Sequence, residues 1–136
     1  MSLLLLRILL IEPQLVLRRT IVMVARDLGV VDFQEATDVA RARALMAAER
    51  YDGVVLDLAE GPATLELLKD LRQGKFNTPS NSTVIVLAAN GETGDDSRLQ
   101  ALGVAAVLGK PVRISALLGA IADARQLHSA SATALV

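Results

Sequence analysis

The feature that most constrains the fold is an alternation between short apolar runs and longer segments with helical periodicity. The apolar runs are four to seven residues long and nearly continuous, which is typical of strands that helices cover on both faces. The segments between them repeat their apolar residues every three or four positions. This alternation predicts βαβ units around a parallel sheet. The predicted strands are Leu5–Ile11, Val31–Ala36, Gly53–Asp57, Thr83–Ala88 and Ala105–Leu108.

Five helices are predicted from their capping residues and apolar stripes. Each start carries a residue suited to a first helical turn or an N-cap, and glycines end the first, third and fourth helices. The predicted starts are Pro13, Thr37-Asp38, Gly61-Pro62, Thr93–Asp96 and Arg113, and the last helix is predicted to end near His128. The first helix has a predicted buried stripe of Leu17, Ile21, Val24 and Leu28. The second has one of Val39, Ala42, Leu45 and Met46.

Length and composition exclude several classes of protein. The chain has 136 residues, which favours a single domain over residues 1–128 followed by a disordered tail over residues 129–136. The net charge of −1 and the scattered arginines argue against a nucleic-acid-binding protein. There is no cysteine and one histidine, His128, so disulfides, thiolate metal sites and Cys or His nucleophiles are not expected.

The apolar start of the chain does not read as a targeting segment. Arg7 interrupts the run MSLLLLRILLI, and no small-residue cleavage site follows it. No apolar stretch approaches the roughly 20 residues that a membrane-spanning helix needs. We therefore expect a cytoplasmic protein that does not associate with membranes.

Polar residues that can carry chemistry follow three of the predicted strands. Asp57 ends the third strand, Lys110 follows the fifth in Gly109-Lys110-Pro111, and Glu12 follows the first. In an open parallel sheet, ligands and chemistry gather beyond the carboxyl ends of the strands. We therefore expect Asp57 and Lys110 to share one crevice. Each residue also has a simpler interpretation: a turn-capping acid, a surface lysine and a helix N-terminal acid favoured by the helix dipole.

With these residues in place, roughly residues 6–125 resemble the receiver domains of response regulators, in particular chemotaxis-type regulators. The resemblance implies a flavodoxin-like (βα)5 fold with three layers and a parallel sheet in the strand order 2-1-3-4-5. It implies that Asp57 stands at the phosphoacceptor position and that Lys110 binds the phosphoryl group, with a cis Lys110–Pro111 bond. A magnesium ion would be held by Glu12, Asp57 and the backbone carbonyl of Ala59.

The resemblance also shows where this sequence departs from the family pattern. Pro13 replaces the more direct magnesium-binding acid, and a proline side chain has no ligand atom. Ala88 replaces a hydroxyl residue that binds the phosphoryl group, and Val107 replaces an aromatic switch residue. Magnesium binding and phosphorylation are therefore expected to be weak or absent. The chain is interpreted as a non-enzymatic pseudo-receiver that acts through protein–protein interaction.

Two alternatives remain at this point. The first is a functional response regulator that a histidine kinase phosphorylates on Asp57. The second, more remote, is a flavin- or nucleotide-binding flavodoxin-like protein, which would need a Gly/Ser/Thr phosphate loop after the first strand; Glu12-Pro13-Gln14-Leu15 supplies none.

The expected partners are signalling proteins. The resemblance implies a histidine kinase or phosphotransfer protein at the first helix, where Val16, Thr20 and Met23 form a second apolar row. It also implies a homodimer through the fourth helix, fifth strand and fifth helix. The pairs Arg18-Arg19 and Arg41/Arg43 are interpreted as solvated faces, because a nucleic-acid role would need a larger basic patch.

Overall fold

Five parallel strands form one sheet in the order β2-β1-β3-β4-β5, which confirms the predicted fold class. The computed structural model describes residues 6–89 and 96–134, and the side chains of all of these except residue 96 and residues 125–134. The strands are β1 Leu6–Ile11, β2 Val31–Ala36, β3 Gly53–Asp57, β4 Thr83–Ala88 and β5 Ala106–Gly109. The helices are α1 Leu15–Leu28, α2 Val39–Ala48, α3 Pro62–Arg72, α4 Asp96–Ala101 and α5 Ile114–Ala134, and a 3-10 turn covers Leu58–Glu60.

Alternate residues of the strands build two separate cores on the two faces of the sheet. On one face, Leu9 and Leu56 pack with α2, α3 and α4; on the other, Leu10 and Val55 pack with α1 and α5. All five residues of β3 are buried. This two-sided burial is the reason why the central strands β3 and β4 are nearly continuous apolar runs, whereas the edge strand β2 contains Asp32, Gln34 and Glu35.

Local sequence accounts well for α2. The side chain of Asp38 caps its start by accepting a hydrogen bond of 2.8 Å from the N–H of Arg41. Its buried residues are those predicted: Val39, Ala42, Leu45 and Met46.

The predicted stripe of α1 is wrong in part. The helix begins at Leu15 rather than near Pro13, and Leu28 is 60% exposed. Ile21 is buried as predicted, and Leu17 is partly buried against the core. The other buried residues are Arg18, Val22 and Ala25. Arg18 lies on this inward face because its guanidinium binds the Glu12 carbonyl oxygen after β1 and Glu35 in β2. Gly29 ends the helix with φ of 67°, as expected for a left-handed C-cap.

Other boundaries differ in smaller ways. Helix α5 continues past the predicted end at His128 to Ala134, so no break in the helix marks residue 128. The single domain over 1–128 and the disorder of 129–136 stay predictions. The predicted caps Thr93 and Asp95 and the His128 side chain lie outside what the structure describes. No helix in the described part of the chain is both long and apolar enough to cross a membrane.

Candidate functional site

The carboxyl ends of β1, β3 and β5 bring Glu12, Asp57 and Lys110 together, as the sequence predicts for Asp57 and Lys110. Strand β3 lies between β1 and β4, and β5 pairs with β4 at the edge of the sheet. Lys110 is held at the end of β4, where its N–H donates to the carbonyl oxygen of Ala88 at 2.8 Å. From there its side chain extends over the end of β4 to reach Asp57 and Glu12. The Lys110–Pro111 peptide bond is cis.

One ammonium group binds both carboxylates of this acid–lysine pocket. The Nζ atom of Lys110 lies 2.6 Å from Glu12 Oε1 and 2.5 Å from Asp57 Oδ2. The three side chains are nearly buried, with exposed fractions of 13% for Lys110, 0% for Glu12 and 5% for Asp57. Burial alone lowers the pKa of Lys110. The hydrogen bonds and charges of Asp57 and Glu12 outweigh burial, so that the pKa of Lys110 is raised above its ordinary value.

Backbone N–H groups bind the remaining carboxylate oxygens. Glu12 Oε2 accepts from the N–H of Gln14 at 2.9 Å, and Asp57 Oδ1 accepts from the N–H of Ala59 at 2.5 Å. Glu12 Oε1 accepts no hydrogen bond of good geometry, so the ion pair with Lys110 is its polar contact in the described residues. Each of the four carboxylate oxygens therefore already faces a positively charged or N–H group.

The pocket is further supported by Arg18, Glu35 and Thr64, which sequence reasoning did not assign to it. Arg18 is buried, contrary to its interpretation as part of a solvated face; its Nη1 donates to the Glu12 carbonyl oxygen at 2.9 Å and its Nε to Glu35 Oε1 at 3.0 Å. Thr64 is fully buried, and its hydroxyl lies 3.4 Å from the Asp57 carbonyl oxygen. The helical spacing of Arg18 from Ile21 and Ala25 is the signal that could have placed it inward.

Two other charged residues bind elsewhere. Glu60, three residues after Asp57, accepts from the N–H of Val39 at 2.6 Å and so binds the start of α2 rather than the pocket. Arg43, also interpreted as solvated, pairs with Asp70 at 2.9 Å.

The positions expected to depart from the family pattern are placed as follows. Ala88 is buried at the end of β4 and offers no hydroxyl beside Asp57. Pro13 is exposed after β1, and Val107 is 41% exposed on β5 rather than packed into the molecule. Ala59 contributes its N–H to Asp57, whereas a role of its carbonyl oxygen in metal binding stays a prediction.

The residues present fit a magnesium ion poorly. Magnesium prefers six oxygen ligands in near-octahedral geometry, usually including one or two carboxylates. Here the Lys110 ammonium stands between the two carboxylates, and the neighbouring Pro13 has no side-chain oxygen. Within residues 6–89 and 96–134, no group of three or more His, Cys, Asp or Glu side chains is arranged to hold a metal ion. A bound ion would share these carboxylates with the ammonium, and repulsion between the two cations would weaken its binding.

Among the comparisons with known proteins, those with solved structures agree with this fold. No protein-family model matches the sequence, and no curated protein matches it. A response regulator receiver protein from Pseudomonas putida has a TM-score of 0.77 and 20% identity, over 90% of this chain and 99% of that chain. The receiver domain of the Francisella response regulator 1452 has a TM-score of 0.69 and 26% identity, over 82% of this chain and 88% of that chain.

A third solved structure carries a different description. An adenylate cyclase from Rhodopirellula baltica has a TM-score of 0.75 and 21% identity, over 97% of this chain and 98% of that chain. Together with the strand order, these similarities confirm the predicted resemblance: the chain has the flavodoxin-like fold of response-regulator receiver domains.

Proposed function

We propose that this chain is a receiver domain of a two-component phosphorelay that acts as a pseudo-receiver, through contacts with other signalling proteins. In this proposal, magnesium-dependent phosphorylation of Asp57 is weak or absent, and the chain catalyses no reaction of its own. The observation that carries the proposal is the Lys110 ammonium, which pairs with both carboxylates of the acid–lysine pocket at 2.6 and 2.5 Å.

The chemistry of phosphoryl transfer explains why this arrangement argues against an efficient acceptor. A carboxylate attacks an anionic phosphate slowly unless a divalent cation neutralises the approaching charge. Both oxygens of Asp57 are already bound, one by Lys110 and one by the N–H of Ala59. The methyl group of Ala88 cannot donate a hydrogen bond to a phosphoryl oxygen. The pocket therefore has the nucleophile and one cation but few further groups to stabilise the transferred group.

The surface supports protein partners for such a domain. Two side chains of α1 from the predicted second apolar row, Val16 and Met23, are 79% and 55% exposed, and Leu15 beside them is 61% exposed. We propose this row as the contact for a histidine kinase or phosphotransfer protein. The exposed Val107 on β5 supports a homodimer through α4, β5 and α5. A cytoplasmic location without nucleic-acid or membrane contacts completes the proposal.

The decisive experiment loads the domain with acetyl phosphate or beryllium fluoride in the presence of magnesium. Intact mass reports covalent phosphorylation, and amide NMR spectra report binding at Glu12, Asp57 and Lys110. We expect no saturation at millimolar magnesium and little modification. Efficient modification that is lost in the Asp57→Asn variant would instead favour the alternative, a functional response regulator.

A gain-of-function variant makes the same experiment sharper. Pro13→Asp with Ala88→Thr restores an acid and a hydroxyl to the two positions that lack them. We expect magnesium to bind at least about tenfold more tightly to this variant, by analogy with the cost of disturbing the support of a metal site. If the variant and the natural chain were equally inert, the absent acid and hydroxyl would not be the reason for weak phosphorylation.

A further inference from the structure

An apolar groove lies between α3 and α4, outside the acid–lysine pocket. This α3–α4 groove has a volume of about 720 Å³. Its lining includes Leu58, Leu65, Lys69, Arg98, Leu99 and Leu102. Leu99 is buried in the core, and the other three leucines are half-buried and pack against that core. The floor of the groove is therefore a continuation of the hydrophobic core that reaches the surface.

Hydrogen bonds of one arginine connect α3 to the segment after α4 at one end of the groove. Arg72, the last residue of α3, donates from Nε to the carbonyl oxygen of Leu102 at 2.7 Å and from Nη2 to that of Gly103 at 3.1 Å. The same guanidinium binds the carbonyl oxygens of Ser80 and Ser82. Arg72 therefore fixes the position of α3 relative to the segment after α4, which borders the groove.

One charged residue of the groove, Lys69, can bind an anion. Glu66 carries the opposite charge, and Arg98 already makes an interaction of its own. Lys69 makes no ion pair with any residue in the described part of the chain. A ligand with an acidic group could therefore pair with Lys69 without breaking an existing contact.

We propose that the α3–α4 groove binds a small amphipathic anion, with its apolar body on Leu58, Leu65 and Leu99 and its acidic group at Lys69. Small-molecule sites typically measure about 300 to 1,000 Å³ and combine an apolar lining with a few polar groups. The groove meets both criteria. Its lining also begins next to the acid–lysine pocket, since Leu58 directly follows Asp57. No phosphorylation of Asp57 is needed for a ligand to bind there.

The test is a titration of the isotope-labelled protein with decanoate, below the concentration at which it forms micelles, followed by amide NMR. We expect saturable shifts centred on Leu58, Leu65, Leu99 and Leu102. Lys69→Met should weaken binding about two- to fivefold, which is the range of one exposed ion pair. Lys75→Met removes the same charge outside the groove and should leave binding unchanged. Neutral decanol should bind the natural protein and Lys69→Met equally well, because it has no charge to pair with Lys69.

A second pair of variants tests the position of the ligand. Ala101→Phe places a ring in the groove and should weaken decanoate binding by about tenfold, since the ring occupies space that the ligand would fill. Ala47→Phe adds the same ring to an exposed position of α2 and should have no effect. Shifts scattered outside the groove, or unchanged binding in Ala101→Phe, would overturn the proposal. Absent decanoate binding would also overturn it, and concentration-dependent dimerisation with broadening of the groove amides would then identify a second copy as the occupant.

Discussion

Replacing Lys110 by methionine is the most direct test of the acid–lysine pocket. Methionine has a similar length but no charge, so it leaves the carboxylates of Glu12 and Asp57 buried next to each other without a cation. Removal of one partner from a buried ion pair typically costs about 3–5 kcal/mol. The protein can limit this cost by taking up one proton, because two adjacent carboxylates cannot both stay ionised cheaply.

The free energy needed to protonate one of the two carboxylates sets an upper bound on the stability that Lys110→Met loses, and this bound depends on pH. A glutamic acid with an ordinary pKa of about 4.3 requires about 3.7 kcal/mol to be protonated at pH 7, but only about 1 kcal/mol at pH 5. In the variant, the folded state binds more protons than the unfolded state, so its stability increases as the pH falls. We therefore expect Lys110→Met to lose about 3–4 kcal/mol at pH 7 and about 1 kcal/mol at pH 5.

Urea denaturation followed by circular dichroism measures both values, and it does not rely on tryptophan, which the chain lacks. Lys75→Met is the matched control. Lys75 pairs with Asp70 at 3.2 Å but is 58% exposed, so its removal should cost less than about 1 kcal/mol at either pH. A loss in Lys110→Met that is below 1 kcal/mol at pH 7, or that does not change with pH, would refute the reasoning.

Three further predictions concern stability. Arg18→Met removes the hydrogen bonds to the Glu12 carbonyl oxygen and to Glu35, so it should lower the free energy of unfolding in urea by about 2 kcal/mol. The more exposed Arg19→Met should lower it by less than about 1 kcal/mol, and equal effects would contradict the supporting role of Arg18. Asp38→Ala removes the N-cap of α2 and should cost about 1 kcal/mol, and an unchanged urea midpoint would contradict that role. Because the pKa of Lys110 is raised in the folded state, its stabilisation should be complete below about pH 10.4 and should be lost as the pH rises through its folded pKa. Urea denaturation of the natural chain and of Lys110→Met should therefore converge in strong alkali, and a constant difference would oppose this assignment.

Patterns along the chain were sufficient to predict the sheet. A run such as Gly53–Asp57 is apolar at nearly every position, so it must be covered on both faces, and parallel strands joined by helices are the common arrangement that achieves this. The same reasoning placed Asp57 and Lys110 at one edge of the sheet, since parallel strands end together. The resemblance to receiver domains supplied the strand order and the expectation for Glu12.

Polar residues whose partners are distant in sequence were predicted less well. Arg18 lies inward because Glu35, 17 residues away, and the Glu12 carbonyl bind its guanidinium. Thr78 and Ser82 lie in the polar segment between α3 and β4, yet both are buried. Their hydroxyls bind the carbonyl oxygens of Glu49 at 2.7 Å and Tyr51 at 3.1 Å. A sequence pattern shows that such residues are polar, but not which backbone groups they satisfy.

The sequence by itself determined the βαβ architecture, the capped helix α2 and the shared edge of Asp57 and Lys110, because these depend on local periodicity and on the common direction of the strands. Only the tertiary structure decided that one ammonium binds both carboxylates, that Arg18 turns inward beneath them and that α3 and α4 leave a groove. Such features depend on the positions of side chains from distant segments to within about an ångström, since hydrogen bonds and ion pairs form only over short distances.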